Sequence, residues 1–433
     1  MNNKFNTLPM QLFYTQNIGE YEFNLARVLE VKPGYKISFE IISKALNKIA
    51  DAQPYLRAVP SNSDKLAVKI LSTNEAMSIE HKFIDSVGDN EIFSEINNLI
   101  ETYSKKINNI TGPTFIPIFC EGKNWQKFII LADHYVSDNG SAIIILGQLD
   151  EAIVNNTYTS LPDSKTIDYL NSFISETISS DHHGILKYWK KRTEYKSSRA
   201  DNTIENERIV KTAMSDANAK ETISFIKKYN ITFDQLVISA FLYSYYRNVT
   251  DKIYGIQIYN DMRRRLNFKN IQKIVGWLGY SYPLFPKNLS SRNIIVQVKD
   301  IIENMHDSEK NGLEYCILSG NDSHKDLLTS MDAADIEYSN IGDFQKYMSR
   351  MHIFKDDEQF NGYYAAKTFS KDMPRYRDIF VRPFIFDGIT YCSICYNSKQ
   401  YGEVVMQKCC DETIANISII IKEYILLQSK GLN

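Results

Sequence analysis

The chain has 433 residues, a length that allows two or three compact units with a substantial core and excludes a peptide or a small disulfide-rich scaffold. Its 43% hydrophobic and 24% charged residues are the balance of an ordinary globular protein. The formal net charge is -2, so no strong net field attracts nucleic acid or an anionic lipid surface.

The N-terminal segment and the cysteine content indicate the compartment. Residues 1–16 lack the charged start and apolar run of a secretory signal, and the sequence has no stretch of about eighteen apolar residues. Six cysteines are too few for a disulfide scaffold in a chain this long, and they fit a reducing compartment. We therefore expect a cytoplasmic protein without a membrane span.

The N-terminal region begins with a strand, a turn and a helix. Residues 21–30 are typical of a strand, and the Lys-Pro-Gly sequence at 32–34 predicts a turn. Apolar residues then recur at helical spacing from 37 to 49. We therefore expect an amphipathic helix directly after the first strand.

A second strand, loop and helix follow about a third of the way along the chain. Residues 125–132 predict an apolar strand, residues 133–140 a short polar loop, and residues 141–154 a buried helix. Residues 155–165, rich in Asn, Thr, Ser, Pro and Asp, are the best candidate for a linker. The boundary between two lobes is expected there or slightly later.

The second half mixes helices and strands without regular alternation. Its predicted helices cover residues 184–192, 234–247 after the N-cap Thr232, and 412–427. Its predicted strands cover residues 252–259, 281–285, 379–386 and 390–396. The chain is therefore predicted to be an α+β protein with two lobes, residues 1–170 and 171–433.

The spacing of the cysteines raises the question of a zinc site. Cys392 and Cys395 are three residues apart, and Cys409 and Cys410 follow nearby. However, residues 388–396 have the pattern of a strand, in which residues three apart point to opposite faces. The sequence also has no HExxH spacing. We therefore favour a strand over a zinc site and expect no bound metal.

Among the seven histidines, most of which are expected at the surface, His134 stands out. It lies where an apolar strand passes into a polar loop, a position at which a rigid scaffold presents a side chain to a cleft. A neutral imidazole there suits a general base for a hydroxyl or an amine, although a structural role is the alternative. Asp138 has three open roles: orienting His134, capping the next helix or pairing with a distant arginine.

The sequence His134-x-x-x-Asp138 resembles the HHxxxDG signature of the condensation-domain and chloramphenicol-acetyltransferase-like acyltransferase superfamily, which includes nonribosomal peptide synthetase condensation domains and alcohol acyltransferases. Other segments resemble that superfamily in the same order. They are residues 10–12, 21–24, 41–58, 188–189, 232–240, 260–263, 275–284, 338–342 and 386–397. The resemblance therefore extends over nearly the whole chain.

The resemblance implies two chloramphenicol-acetyltransferase-like lobes arranged in a V, with a central tunnel faced by His134. It implies that this histidine takes a proton from an amine or alcohol as it attacks an acyl thioester, and returns the proton to the leaving thiol. Asp138 would be a scaffold residue paired with Arg57. Backbone N–H groups near Asn139 and Gly140 are candidates for stabilising the oxyanion.

Four further residues are possible tunnel-lining positions in that resemblance. They are Tyr280, Tyr282, Ser339 and Tyr396. The chain has neither a GGxS phosphopantetheine-attachment motif nor a GxxxxGK(S/T) phosphate loop. We therefore expect no permanently bound cofactor, an acyl donor supplied by CoA or by an acyl or peptidyl carrier protein, and a small amine or alcohol as acceptor.

Two positions depart from the signature. Asp133 replaces its first histidine, and Asn139 occupies its glycine position. Asparagine is the residue that best replaces glycine where φ is positive, but its side chain could crowd the tunnel. The main prediction is a stand-alone acyltransferase forming an amide or an ester. The alternative is a catalytically degenerate module that binds a carrier protein or recruits a partner enzyme.

Overall fold

The computed structural model describes residues 5–430, with gaps at 20, 191–201, 251–254, 289, 290, 292, 320–333, 335, 358, 359, 361–367, 376 and 387. Its strands are β1 (Phe5–Asn6), β2 (Asn24–Val31), β3 (Ala58–Pro60), β4 (Ala67–Ile70), β5 (Glu80–Phe83), β6 (Ile118–Glu121), β7 (Gln126–Asp133), β8 (Glu207–Ala213), β9 (Ile256–Asp261), β10 (Gly279–Leu284), β11 (Ile336–Ser339), β12 (Gly342–Asp343), β13 (Phe354–Asp356), β14 (Ile379–Phe386) and β15 (Ile389–Asn397).

Helices alternate irregularly with these strands, as a mixed fold requires. They are α1 (Pro9–Asn17), α2 (Phe39–Ala52), α3 (Thr73–Ala76), α4 (Asp89–Ser104), α5 (Asn139–Asn155), α6 (Ser164–Ser179), α7 (His183–Lys190), α8 (Asp216–Tyr229), α9 (Phe233–Asn248), α10 (Met262–Arg265), α11 (Ile294–Ser319), α12 (Phe344–Met348) and α13 (Glu403–Ser429).

The described residues form two compact units, each built from three segments of the chain. The first unit comprises Met1–Ser180, Asp261–Gly279 and Phe344–Met373, and the second comprises Asp181–Asn260, Tyr280–Asp343 and Pro374–Asn433. The predicted lobes divide the sequence at a single point, whereas these units are discontinuous. The division at residue 170 and the V-shaped arrangement with its tunnel stay predictions.

The first unit is organised by a five-stranded sheet in the order β13-β2-β7-β6-β5. Strand β7 lies at its centre and is antiparallel to both β2 and β6. All eight residues of β7 are buried, as expected for a strand covered on both faces. Helix α4 covers one face through Ile92, Ile96 and Ile100, which pack among apolar residues of β6 and β7. A rigid strand therefore ends at Asp133.

The second unit contains the larger sheet, in the order β10-β9-β11-β14-β15-β8, with β12 paired to β14. Strand β11 runs parallel to β9 and β14, while β14 and β15 form an antiparallel hairpin. Helix α9 packs against α11 and α13. The α+β prediction is confirmed by these mixed sheets and helices.

Several predicted elements agree with the structure within a few residues. The strands predicted at 379–386 and 390–396 are β14 and β15, and the helix predicted after Thr232 is α9, with a capping box between Thr232 and Gln235. The strand predicted at 252–259 is described from Ile256. Residues 252–254 and the end of the helix predicted at 184–192 lie outside the described residues.

Two boundaries differ from the predictions. The closing helix starts at Glu403 rather than at 412, because Met406, Cys409, Cys410 and Thr413 extend its buried stripe toward the N-terminus. The polar segment predicted as a linker is shortened by α6, which begins at Ser164 with Asp163 as its N-cap, and the whole segment belongs to the first unit. Capping by Asp163 explains why a polar stretch starts a helix.

Candidate functional site

His134 is the first residue after β7, and the backbone fixes it there. Its N–H group donates to the carbonyl oxygen of Phe23 at 2.8 Å, which continues the pairing of β2 with β7 by one residue. The chain then turns, with Val136 N–H donating to the Asp133 carbonyl oxygen at 3.2 Å, and α5 begins at Asn139. The predicted arrangement of strand, loop and helix is confirmed, and the loop is held at both ends.

The imidazole of His134 packs against two aromatic rings that also contact each other. Its centroid is 4.4 Å from that of Phe23, with an interplanar angle of 28°, and 3.9 Å from that of Trp277, with an angle of 41°. The side chain is partly exposed, but Nδ1 is buried and forms no hydrogen bond of standard geometry. The ring is therefore held by aromatic packing rather than by a hydrogen-bonded carboxylate.

This environment changes the ionisation of His134. Burial lowers its pKa to about 4, while weak contacts with backbone carbonyl groups of His134 and Ser137 and the charge of Asp138 partly oppose the shift. A histidine with this pKa is neutral at pH 7 and has a free lone pair. It can accept a proton without first losing one.

Asp138 caps helix α5 and accepts hydrogen bonds at both carboxylate oxygens. Its Oδ1 accepts from Ser141 N–H at 2.7 Å, and its Oδ2 accepts from Arg263 Nη1 at 2.9 Å and from Leu278 N–H at 3.0 Å. Burial alone would raise the pKa of Asp138, but the Arg263 charge and these hydrogen bonds together lower it. Asp138 is therefore a charged anchor, and two of its three open roles, the cap and the arginine pair, are filled together.

The predicted pair between Asp138 and Arg57 is wrong. Arg57 lies in the 3-10 turn Pro54–Arg57, where Nε donates to the Ala50 carbonyl oxygen at 2.8 Å and the other guanidinium nitrogens reach the carbonyl oxygens of Leu71 and Asp51. Carbonyl groups at the C-terminus of α2 favour such a cation. Arg57 thus closes the end of α2, and Arg263 is the partner of Asp138.

Arg263 also holds the segment of residues 274–278, which we call the strap. Nε donates to the Ile274 carbonyl oxygen at 3.1 Å and Nη2 to the Gly276 carbonyl oxygen at 2.9 Å. Gly276 N–H donates to Ser141 Oγ at 3.0 Å. The sequence contains an indication of this role, since residues 260–263 and 275–284 resemble one block of the superfamily. It does not indicate the pair itself, because Arg263 and Asp138 are 125 residues apart.

The two predicted oxyanion positions form the first turn of α5. Asn139 is exposed at the first helical position, where every residue adopts the right-handed conformation, so its replacement of glycine introduces no backbone strain. Gly140 packs tightly, since a Cβ there would lie 3.1 Å from Arg263 Nη1. Within the described part of the chain, the N–H groups of both residues have no acceptor, as is usual in the first turn of a helix.

Asp133, at the position of the first signature histidine, is buried under the aromatic rings. Its Oδ1 accepts from Tyr135 N–H at 2.7 Å and its Oδ2 from the Tyr14 hydroxyl at 3.4 Å. Asn109 Nδ2 donates to the same hydroxyl at 2.9 Å. Burial raises the pKa of Asp133 to about 7, although these donors oppose the shift. This carboxyl group has neutral partners only.

The four possible tunnel-lining residues belong to the second unit. Tyr280 and Tyr282 are buried on β10, with ring centroids 6.1 Å apart, and Tyr396 is buried on β15. Ser339 ends β11 and is partly exposed. Their role in lining a tunnel stays a prediction.

The cysteines of the weighed zinc site are buried. Cys392 and Cys395 both lie in β15, and Cys410 Sγ donates to the Cys392 carbonyl oxygen at 3.2 Å. Among the residues that the structure describes, no three His, Cys, Asp or Glu side chains are grouped as metal ligands. None of the described helices is both long and apolar enough to cross a bilayer.

Comparisons with known proteins agree with this fold. A family model described as "Condensation domain" matches residues 1–428. A mycosubtilin synthase polypeptide from Bacillus subtilis is 19% identical over 420 residues, which are 93% of this chain but 16% of that protein. The chain thus spans about a sixth of that curated relative.

Solved structures extend the comparison to the fold. The epimerization domain from the third module of tyrocidine synthetase B has a TM-score of 0.79 at 18% identity, covering 97% of this chain and 96% of that one. The starter condensation domain of rhizomide synthetase, in complex with C8-CoA and Leu-SNAC, has a TM-score of 0.70 at 12% identity, covering 98% and 95%. The chain belongs to the condensation-domain family.

Proposed function

We propose that this chain is an acyltransferase that joins an acyl thioester to an amine or an alcohol, with His134 as the general base. The condensation-domain family supports amide- or ester-forming condensation in general. The observation that carries the proposal is the position of His134, which the backbone fixes at the end of the central strand with its imidazole packed against Phe23 and Trp277; its lowered pKa favours the neutral form. A base that is fixed and already deprotonated needs no preparatory step.

The proposed step uses Nε2, the ring nitrogen of His134 that is not buried. Because Nδ1 is buried and Nε2 is not among the buried atoms, the tautomer proposed to react has its proton on Nδ1 and its lone pair on Nε2. Nε2 takes the proton of the acceptor as its nitrogen or oxygen attacks the thioester carbonyl carbon. The C–N or C–O bond forms, the C–S bond breaks, and the proton passes from Nε2 to the leaving sulfur.

The loop anchors keep this base in place. Asp138 and Arg263 join the start of α5 to the strap, so the loop that carries His134 cannot shift without breaking a buried ion pair. The free N–H groups of Asn139 and Gly140, at the positive end of the helix dipole, are proposed to stabilise the developing oxyanion. Gly140 lies against Arg263, which fixes the direction of its N–H group.

The donor is proposed to be an external thioester, carried by CoA or by the phosphopantetheine of a carrier protein. The complex of the rhizomide synthetase domain with C8-CoA and Leu-SNAC supports this substrate class. The alternative of a degenerate module rested on Asn139, whose exposed position in α5 imposes no strain. That alternative therefore becomes one outcome of the test.

The test is single-turnover acyl transfer with C8-CoA as donor, and with the same acyl group loaded on a carrier protein. Leu-SNAC and an alcohol serve as acceptors. We expect His134→Ala to lower the rate by about 10² to 10⁴, the usual contribution of a positioned general base. His306→Ala is the matched control, since His306 is exposed on α11.

The outcomes separate the two functions. A loss below tenfold in His134→Ala would mean that orientation alone carries the reaction. No transfer by the wild type with either donor, together with saturable binding of the loaded carrier protein by calorimetry, would support the recruiting module instead.

A further inference from the structure

Beyond the proposed base, the strap contributes one aromatic side chain to the site. Every anchor of the strap lies in the first unit, and Trp277 is the residue that the strap presents to His134. We propose that Trp277 is a positioning residue: the strap, fixed by Arg263 and Asp138, presses its indole against the His134 imidazole and keeps water from that ring. This inference rests on the proposed function of His134 and extends it.

Hydrogen bonds fix the strap on both sides of Trp277. On the N-terminal side, Val275 N–H donates to Gln53 Oε1 at 2.9 Å, and Arg263 binds the Ile274 and Gly276 carbonyl oxygens. On the C-terminal side, Leu278 N–H donates to Asp138 Oδ2 and its carbonyl oxygen accepts from Met262 N–H at 2.8 Å. The backbone that carries the indole therefore has almost no freedom to move.

Gly276 gives this segment its shape. Its φ is +155°, and a Cβ there would lie 2.9 Å from Leu278 Cδ1 and 3.0 Å from Tyr55 Cβ. A side chain at this position would push the strap away from Tyr55 in the 3-10 turn. The absence of one lets Trp277 come close to the imidazole.

The rings of Trp277, Phe23 and Tyr14 form a cluster beside the imidazole. Trp277 is 9% exposed, and its ring lies 5.9 Å from that of Phe23 and 6.2 Å from that of Tyr14. Tyr14 is also 6.1 Å from Phe23. Removing the indole would uncover the side of the imidazole that Trp277 contacts, whereas Phe23 would still stack on the ring.

The elements packed around the imidazole carry several charged and titratable groups. Asp133 and Asp138 lie on its own loop, Arg263 is paired with Asp138, and Tyr14 and Tyr135 lie behind Phe23. Since burial is the largest influence on the pKa of His134, wetting one face should raise that pKa toward its ordinary value.

The experiment measures the pKa of His134 directly, by NMR titration of its carbon-13-labelled imidazole in the full chain. His134→Gln identifies the resonance. We expect Trp277→Ala to raise the pKa by about one unit or more toward 6.5 and to lower kcat by about tenfold or more through loss of orientation. Trp277→Phe should restore most of both values.

Trp125→Phe is the matched control, because Trp125 precedes β7 and lies about 30 Å from His134 along that strand. It should leave the titration unchanged. Thermal melting verifies that each variant is folded, and Phe23→Leu uncovers the side of the imidazole that Phe23 contacts if Trp277→Ala does not fold.

An unchanged His134 pKa in folded Trp277→Ala, or in Phe23→Leu when that variant is needed, would overturn the proposal, whatever the activity. A raised pKa in a protein whose wild type transfers no acyl group would support the role of Trp277 and contradict the proposed function. The two proposals can therefore fail separately.

Discussion

Asp133 and Asp138 flank His134 on the same loop, yet their surroundings differ in charge. Asp138 faces Arg263 and has a lowered pKa, whereas Asp133 has a raised pKa and, among the described residues, the neutral donors Tyr14, Asn109 and the Tyr135 amide. The charged pair fixes the loop to α5 and to the strap. The surroundings of Asp133 tolerate a carboxyl group because its raised pKa allows that group to keep its proton.

The comparison explains why one departure from the family signature is acceptable. At position 133 the signature histidine is replaced by a side chain that, when protonated, is also neutral. The hydrogen bond from Tyr135 N–H to Asp133 Oδ1 requires only an acceptor, not a charge. Loss of the charge at position 138 would instead leave Arg263 with Asp261, at 3.3 Å, in place of its closer partner.

The largest effect is expected for Arg263→Ala. Arg263 is 5% exposed and Asp138 15%, so removing the cation leaves a buried carboxylate uncompensated, at a cost of about 3 to 5 kcal/mol. Urea denaturation at pH 7 measures the free energy of unfolding. Arg57→Ala is the control, because Arg57 binds carbonyl oxygens and its loss should cost less; equal losses for the two variants would contradict the anchoring role of Arg263.

The next effect comes from displacing the strap with Gly276→Ala. The added Cβ would lie 2.9 Å from Leu278 Cδ1 and 3.0 Å from Tyr55 Cβ, which is closer than ordinary van der Waals contact. We therefore expect a loss of about 1 to 3 kcal/mol in the free energy of unfolding. We also expect a lower rate of acyl transfer. Gly184→Ala, on α7 with open space around it, should be neutral or slightly stabilising, and a neutral Gly276→Ala would show that the strap has room to move.

Asp133→Asn should change the pH dependence of the free energy of unfolding, and not only the free energy at one pH. Because burial raises the pKa of Asp133 to about 7, the folded state binds its proton more tightly than the unfolded state, and stability falls as the pH rises from about 4 to 7. His134, with a pKa of about 4, has the opposite effect between about 4 and 6.5.

In the wild type these two contributions oppose each other. Asp133→Asn leaves only that of His134, so the free energy of unfolding should rise more steeply with pH, by up to about 1.4 kcal/mol per pH unit. Denaturation curves from pH 4.5 to 7.5 measure the slope. An unchanged slope would mean that Asp133 is ionised throughout this range.

The smallest effect is expected for Asn139→Gly, which restores the glycine of the family signature. Asn139 is exposed and already helical, so the rate of acyl transfer should change by less than about threefold. Stability should fall by about 0.5 to 1 kcal/mol, since glycine is the poorer helix former. A gain of tenfold or more in rate would show that the asparagine side chain obstructs the substrate.

Local sequence patterns predict the strand, loop and helix that carry this site, but they do not predict its long-range contacts. The apolar run before Asp133 and the apolar residues after Gly140 were enough to place His134 between a strand and a helix, because periodicity reports burial. The partner of Asp138 was not predictable in this way. Arg57 and Arg263 both lie close to short helical turns, and only the folded backbone decides which guanidinium reaches the loop.

The aromatic cluster around His134 shows the same limit. Phe23 and Trp277 each lie in segments that resemble the family, but no pattern in one sequence indicates that the two residues pack against one imidazole. The sequence places the start of α13 at residue 412 instead of Glu403 for a simpler reason. Cys409 and Cys410 were weighed as metal ligands, whereas in the structure they are core residues of a helix.

The pH dependence of single-turnover acyl transfer tests the central claim most directly, because it distinguishes His134 from Asp133 by their pKa values of about 4 and about 7. If His134 is the base, the rate of the wild type with an alcohol acceptor, which does not itself ionise in this range, should be constant from pH 8 to about 5.5 and fall toward pH 4, with Asp133→Asn giving the same profile. A fall centred near pH 7 that disappears in Asp133→Asn would contradict the account and assign the proton transfer to the carboxyl group.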